Sequence, residues 1–234
     1  LPIVFGLLDD AAVTVQATSC YVLEMFCERL EPQAVRPLLD SLVRKLAGML
    51  EATNKRSVQE MTVAALAATA VAAEDEFTPY VPGVCQLLGT LLQLSDPEQY
   101  SLRGRALECM GHIAIAVGTD GFRPYFPATM ESALQGLTLD STELQEFAYA
   151  VFANLSKVMK EEFAPALPEL VPHLIQVIEM DEGQFEKAEA TEAGAGAAGL
   201  AFDLGDDDDD DEDGGDENGQ YVLHVRTALL EVKK

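Results

Sequence analysis

A six-residue pattern recurs at a nearly constant interval along this chain. It reads FTPYVP at 77–82, FRPYFP at 122–127 and FAPALP at 163–168, so its phenylalanines are 45 and 41 residues apart. A weaker copy, with two prolines five residues apart, occupies residues 30–37. Proline cannot continue a helix, but it is tolerated in the first turn of the next one. Each copy therefore predicts a corner between two helices, filled by its phenylalanine.

The segments between the copies show helical periodicity. The clearest runs from Thr142 to Glu161, with apolar residues at i, i+3, i+4, i+7 and i+8 spacing. Thr142 and Gln145 predict a capping box at its start. Another helix is predicted to open with Asp96 as N-cap, proline in its first turn and Gln99 as box partner, and Gly118 is predicted to close it.

Pairs of helices with a period of about 40–47 residues are the signature of HEAT and armadillo repeats. The sequence therefore predicts an all-α fold, a HEAT-repeat (armadillo-like) α-α superhelix in which each pair buries its apolar stripe against its neighbours. The predicted pairs are 12–29 with 34–52, 55–74 with 78–95, 97–117 with 123–139, and 142–161 with 164–181.

The predicted organisation has three parts. Residues 1–184 hold about four repeats, with residues 1–8 as the tail of a preceding second helix. Residues 185–219 form an acidic low-complexity insert, predicted to be disordered because it cannot bury enough apolar surface to offset the entropy of ordering. Residues 220–234 are predicted to be the first helix of a further, truncated repeat. The chain is thus expected to be a fragment of something longer.

Charge is the strongest indication of the kind of partner. The chain carries 40 acidic and 15 basic side chains, a formal net charge of −25. Such a field repels nucleic acid and anionic lipid and attracts basic proteins. We therefore expect basic protein partners and neither direct nucleic-acid nor membrane binding.

Composition favours packed helices over a β-sandwich, since aromatic residues make up 7 % of the chain and Trp is absent. The cysteines fall within apolar helical patterns without a CxxC pair, which indicates buried thiols and a reducing compartment; they are Cys20, Cys27, Cys85 and Cys109. No run of 18 apolar residues or signal peptide is present.

Two sets of acidic residues are candidate binding sites for basic cargo. The first is the acidic insert, which is either a docking strip or a solubilising linker; its residues are Asp206, Asp207, Asp208, Asp209, Asp210, Asp211, Glu212, Asp213, Asp216 and Glu217. The second lies on the predicted second helices, which in a HEAT superhelix usually line the concave face, and is either a negative inner surface or ordinary solvated helix faces; its residues are Asp40, Glu51, Glu131, Glu169 and Glu179.

Other candidate sites are poor. Cys109 and His112 are three residues apart on one predicted helix, but no second pair accompanies them, so a core cysteine beside a half-buried histidine is expected. The chain contains no P-loop, GxSxG or HExxH motif. We therefore expect no catalytic residue, no metal and no cofactor. Lys55-Arg56 and Arg103 with Arg105 are expected to form salt bridges between repeats.

The order of several motifs resembles that of a known family. These motifs are the Phe-x-Pro-Tyr-x-Pro corner, the segment LRGRALECMGHIAIAVG at 102–118, and the acidic insert followed by VRTALLEVK at 225–233. Together they resemble the middle HEAT repeats of the importin-β (karyopherin-β) superfamily, in its importin-4/importin-5 branch.

The resemblance implies a nuclear import receptor that shuttles between cytoplasm and nucleus. Such a receptor binds basic cargo, such as ribosomal proteins or histones, and releases it when Ran-GTP binds. The full-length receptor would also contact Phe-Gly nucleoporins and act as a monomer. Two alternatives stay open from the residues themselves: a static HEAT scaffold, and an acidic histone-chaperone-like module in which the insert does the binding.

Overall fold

The computed structural model describes residues 2–179, and within this range the chain contains helices, turns and no strand. The α-helices are α1 (Pro2–Leu7), α2 (Val13–Cys27), α3 (Pro32–Val35), α4 (Leu39–Ala52), α5 (Arg56–Ala73), α6 (Val81–Leu91), α7 (Tyr100–Phe122), α8 (Phe126–Thr138), α9 (Thr142–Met159) and α10 (Leu167–Glu179). Short 3₁₀ segments occupy Glu74–Tyr80, Pro97–Gln99 and Lys160–Ala166. The predicted all-α fold of HEAT-type helix pairs is confirmed.

Residues 2–171 form one compact unit, and residues 172–179 belong to a second. In the first unit the first helices of the pairs, α2, α5, α7 and α9, pack side by side in chain order. Each of the second helices α4, α6 and α8 packs against the first helix of the following pair. This is the nearest-neighbour packing expected of a repeat protein.

Side chains that are one repeat apart in sequence contact each other across neighbouring first helices. The Cys20 thiol lies 3.5 Å from the Thr62 hydroxyl, and the Ser101 hydroxyl donates to the Glu143 carboxylate at 2.9 Å. Both pairs are 42 residues apart in sequence. The four cysteines are buried free thiols, as the sequence predicted.

The corners between paired helices contain the recurring phenylalanines. Phe77 and Phe122 are 0 % exposed and Phe163 is 4 % exposed, so the predicted corner filling is confirmed. Each of the first two also contacts the tyrosine three residues later, with ring centroids 5.8 and 6.1 Å apart.

The second helices begin later than the sequence predicted. They start at Leu39, Val81, Phe126 and Leu167, three to five residues after the expected positions. The reason is that the Phe-x-Pro segments do not open the second helices: 74–80 and 160–166 form 3₁₀ segments, and 32–35 forms the separate short helix α3. The tighter 3₁₀ turn is common at helix termini and as a connector.

The capping box expected at Thr142 and Gln145 is wrong. Ser141 is the N-cap residue of α9, and its hydroxyl accepts a hydrogen bond from the Leu144 amide at 3.3 Å. The Gln145 amide instead donates to the Leu139 carbonyl at 2.9 Å. The helix start was therefore placed one residue too late.

Three corner residues adopt positive φ. Gly118, at φ 68°, interrupts the helical backbone of α7, as the sequence predicted. One further helical turn, up to Phe122, follows this break. Glu74 (φ 52°) and Lys160 (φ 49°) occupy equivalent places, each three residues before a corner phenylalanine. Asp96 caps the 97–99 turn as predicted, by accepting from the Glu98 amide at 3.1 Å.

Candidate functional site

The predicted acidic residues of the second helices lie on the surface. Asp40 and Glu51 on α4, Glu131 on α8 and Glu169 on α10 are all exposed. Glu179 is the last residue of α10, where the described part of the chain ends. The helix α6 contributes no carboxylate, because its sequence is VPGVCQLLGTL.

The buried stripe of α4 fixes the orientation of its two acids. Leu42, Val43 and Leu46 are at most 4 % exposed and hold one face of the helix in the core. Asp40 and Glu51 are eleven residues apart, which is about three helical turns, so both project from the same outward strip. The helix thus presents two carboxylates in line on its solvent face.

Asp40 carries an ion pair within its own helix. The Arg44 Nε lies 3.0 Å from the Asp40 carboxylate, and the two side chains are 77 % and 60 % exposed. An exposed i,i+4 pair of this kind contributes only about 0.3–0.5 kcal/mol. Arg44 can therefore release the Asp40 carboxylate at small cost. Within residues 2–179 no ion pair is found for Glu51, Glu131 or Glu169.

The acids do not repeat at one position of each pair. Counting from the corner phenylalanines, and in the first corner from Val35, which stands two residues before its proline as they do, the position of Glu131 in α8 corresponds to Gln86 in α6 and to Arg44 in α4. The position of Glu169 corresponds to Ser41 in α4.

On α4, Arg44 and Lys45 balance Asp40 and Glu51, whereas α8 and α10 carry carboxylates without a lysine or arginine. The second helices therefore do not present a regular ladder of carboxylates. The ten predicted residues between 206 and 217 lie outside the described residues.

Two ion pairs join neighbouring corners. Arg36 lies 2.9 Å from Glu76, and Arg123 lies 2.8 Å from Glu162. The two pairs are equivalent, since each arginine directly precedes a proline of a corner motif and each glutamate precedes the next motif's phenylalanine. Hydrogen bonds from Arg123 lower the pKa of Glu162. These corner cations are therefore already engaged with acids of the next repeat.

The expectation of inter-repeat salt bridges at 55–56, 103 and 105 is wrong for the three arginines. Arg56 pairs with Glu60 in its own helix at 3.0 Å, and its guanidinium also donates to the Glu98 carbonyl. Arg105 pairs with Glu108, three residues away, at 3.1 Å.

Arg103 is 5 % exposed and has no carboxylate partner among the described residues. Its guanidinium donates to the Leu94 and Ser132 carbonyl oxygens, both at 3.2 Å, and to the Gln135 side chain at 3.3 Å. Burial lowers its pKa. Arg103 therefore links the segment that precedes α7 with helix α8. The sequence pattern gave no sign that this arginine would be buried.

Cys109 and His112 have the predicted environment. Cys109 is 0 % exposed, and burial raises the pKa of its thiol. His112 is half-buried, and its Nδ1 atom has no hydrogen-bond partner among residues 2–179. The two residues therefore belong to the packing of α7.

Glu24 on α2 is an unusual carboxyl that the sequence reasoning missed. Burial raises its pKa to about 7, repulsion by Glu28 and Glu108 adds to the shift, and attraction by Arg105 opposes it. The only sequence signal is a glutamate within the apolar run VLEMF at 22–26. A carboxyl that titrates near neutral pH makes the packing of this helix sensitive to pH.

No helix in residues 2–179 is long and apolar enough to cross a membrane.

Comparisons with known proteins agree with this architecture. Residues 8–192 match the family model of importin subunit beta-1-like TPR repeats. The probable importin subunit beta-4 of Schizosaccharomyces pombe is 34 % identical over 183 residues, which cover 78 % of this chain and 17 % of that protein. Human importin-4 is 31 % identical over 129 residues, which cover 53 % of this chain and 12 % of that protein.

Solved structures give the same result. Kap121p bound to Pho4p superposes with a TM-score of 0.68 and 26 % identity, covering 74 % of this chain and 16 % of Kap121p. Kap121p bound to Nup53p gives a TM-score of 0.67 over similar shares of both chains. The matched part of this chain therefore spans about one eighth to one sixth of the length of these relatives. It belongs to the importin-β (karyopherin-β) superfamily, in its importin-4/importin-5-like branch.

Proposed function

We propose that this chain is part of a nuclear import receptor that binds basic protein cargo through the exposed carboxylates of its second helices. The observation that carries the proposal is the exposure of Glu51, Glu131 and Glu169 without an ion-pair partner in the described part of the chain. Family membership supports a transport receptor over a static scaffold, and a binding protein over an enzyme.

The charge balance supports a basic cargo such as a ribosomal protein or a histone. Residues 2–179 carry 23 acidic and 11 basic side chains. The corner ion pairs engage Arg36 and Arg123, and Arg103 is buried, so these three cations do not pair with the acids of the second helices. A negative surface of this kind raises the association rate of a positively charged protein.

The remaining steps belong to the whole receptor. We propose that Ran-GTP releases the cargo, that Phe-Gly nucleoporins bind elsewhere on the full-length protein, and that the receptor shuttles between cytoplasm and nucleus. In a stack of repeats, small rotations per repeat add up to a large change of pitch. Cargo and Ran-GTP that prefer different pitches would then oppose each other's binding.

A charge-reversal series tests the proposed cargo surface. The test variant carries Glu51→Lys, Glu131→Lys and Glu169→Lys, and the control carries three exposed acids near the corners changed to lysine, at Glu28, Asp75 and Glu161. Both variants have the same net charge, so non-local electrostatics change equally. Binding to a core histone, measured by fluorescence anisotropy, should weaken at least tenfold in the first variant and less than threefold in the second.

Equal weakening in both variants would refute a specific surface on the second helices. Deleting residues 205–217 separates the receptor from the chaperone-like alternative, because complete loss of histone binding would place the binding in the insert. Affinity should also fall steeply with salt, since exposed charges are screened over about 8 Å at physiological ionic strength. Binding that is unchanged up to about 0.5 M salt would contradict the electrostatic basis.

A further inference from the structure

One exposed loop carries a serine that neither the packing nor the proposed cargo surface uses. The loop comprises residues 92–96, between α6 and the 97–99 turn, and it reads LQLSD. Leu92 is buried and Leu94 is half-buried, whereas Ser95 and Asp96 are exposed. The backbone at Asp96 is extended, with φ −75° and ψ 125°. The Ser95 hydroxyl is therefore presented to solvent on a short irregular segment that two leucines anchor.

Exposure and local structure separate Ser95 from the other serines. All serines of this chain lie between positions 19 and 156, and three of them are exposed, namely Ser41, Ser95 and Ser156. Ser41 lies within α4 and Ser156 within α9, whereas Ser95 lies outside any helix. Enzymes that act on a folded chain reach exposed loops more readily than helices, whose backbone is already hydrogen-bonded. Ser95 is therefore the most accessible serine for a modifying enzyme.

Acidic residues follow Ser95 at two positions. The sequence reads Ser-Asp-Pro-Glu, so Asp96 comes directly after the serine and Glu98 three residues after it, and both are exposed. Ser41 is followed by LVR and Ser156 by KVM, neither of which contains an acid. Kinases select substrates by charge pattern, and a basic substrate groove favours acids beside the serine. The loop therefore fits a serine kinase that is directed by acidic residues.

Two guanidinium groups contact the backbone on either side of Ser95. The Arg103 Nη1 atom donates to the Leu94 carbonyl at 3.2 Å, and the Arg56 guanidinium donates to the Glu98 carbonyl. Arg103 is buried, whereas the Arg56 side chain is 55 % exposed and can turn toward a new anion. Because Arg56 is the first residue of α5, this cation reaches the loop from the start of the preceding helix pair.

We propose that Ser95 is a phosphorylation site for an acid-directed serine kinase, and that its phosphate pairs with Arg56. In this reaction the γ-phosphoryl group of ATP forms a bond to the Ser95 Oγ atom, ADP leaves, and the kinase takes up the hydroxyl proton. The phosphate carries a charge of about −1.5 to −2 at pH 7 and accepts paired hydrogen bonds from a guanidinium. Phosphorylation thus adds a charged link between α5 and the segment before α7, whichever cargo the chain binds.

Phosphorylation of the full chain by casein kinase II and ATP tests the site. Tandem mass spectrometry should locate the phosphate on Ser95, and Ser95→Ala should lose it. Glu98→Gln removes an acid but keeps the carbonyl that Arg56 binds, and it should slow incorporation at least tenfold. Glu161→Gln removes the same charge at an exposed acid of another corner and should change the rate less than twofold.

Two results would overturn the site. The first is an unmodified Ser95 in a reaction where casein itself is phosphorylated, because the kinase is then active and rejects this loop. The second is an equal rate for Glu98→Gln and Glu161→Gln, because the acid beside the serine would then not direct the kinase.

A phosphorus NMR titration tests the pairing with Arg56. A nearby guanidinium favours the doubly charged phosphate and lowers the pH at which it titrates. The titration midpoint of phosphorylated Ser95 should therefore be lower by at least about 0.5 pH units in the parent than in Arg56→Gln. Arg44→Gln is the matched control, since Arg44 also pairs with an acid one turn away in its own helix, and it should leave the midpoint unchanged. Equal midpoints in the parent and Arg56→Gln would refute the pairing.

Discussion

Gly104 on α7 lies directly against Phe147 on α9, and enlarging it should loosen the contact between these two helices. A Cβ atom built at this position lies 2.1 Å from Cδ2 and 2.8 Å from Cε2 of Phe147 on α9. The same ring lies under the Arg105 guanidinium, 5.2 Å from centroid to Cζ. The ring is rigid, so Gly104→Ala forces Phe147 into another rotamer or pushes α7 and α9 apart.

The size of the stability change follows from one stabilising effect and two destabilising effects. Replacing glycine by alanine inside a helix stabilises by about 1 kcal/mol. Overpacking a filled contact costs about 1–3 kcal/mol, and moving the ring away from Arg105 loses about 0.5–1 kcal/mol of cation–π attraction. Overpacking is the largest of these, so Gly104→Ala should lower the free energy of unfolding by about 1–2 kcal/mol.

Gly48 provides the control, because a Cβ atom there would meet nothing within 4 Å. Gly48→Ala, also inside a helix, should raise the free energy of unfolding by about 0.5–1 kcal/mol. Urea denaturation followed by far-UV circular dichroism measures both, and a Phe147→Ala background should abolish the cost of Gly104→Ala. If the two glycine variants shift stability in the same direction, the packing argument is wrong.

Three further changes test other parts of the structure. Phe122→Ala should cost about 3–5 kcal/mol in urea denaturation because the ring is fully buried, whereas Phe26→Ala, at a side chain that is 40 % exposed, should cost only about 1–2 kcal/mol. The folded-state pKa of Glu24, raised to about 7, lies above its value of 4.5 in the unfolded chain, so the stability that Glu24 contributes is fully present below pH 4.5 and is lost as pH rises through 7. Glu24→Gln should therefore be more stable than the parent at pH 8 and equally stable at pH 4 in thermal unfolding, and a parallel pH dependence in both proteins would contradict this. Lys160→Gly should stabilise by about 1 kcal/mol, since glycine adopts positive φ without strain; a loss of stability in urea would show that this backbone is not strained.

The recurring corner motif was sufficient to predict the fold. Proline positions and the buried phenylalanines Phe77, Phe122 and Phe163 recur at one-repeat intervals, and apolar periodicity between them gave the helices. The second helices were predicted three to five residues too early, because proline is compatible with both a 3₁₀ turn and the first turn of an α-helix. Local sequence does not distinguish these two outcomes.

The candidate site was predictable only in part. Solvent-facing acids on the second helices follow from helical periodicity, since Asp40 and Glu51 lie opposite an apolar stripe. Burial of Arg103 and the raised pKa of Glu24 depend on contacts with residues distant in sequence. Positive φ at Glu74 was equally hidden, because glutamate has no preference for that conformation and tertiary packing imposes it.

The helix α5 has no solvent-facing side along its middle. Every side chain from Glu60 to Ala70 is buried, and five of the eleven are alanine. Methyl groups this small let α2 and α7 approach from either flank. A single added methylene at Ala65 or Ala67 would therefore press on a packed neighbour, so this stretch should tolerate fewer substitutions in a mutational scan than helices with an exposed face, such as α4.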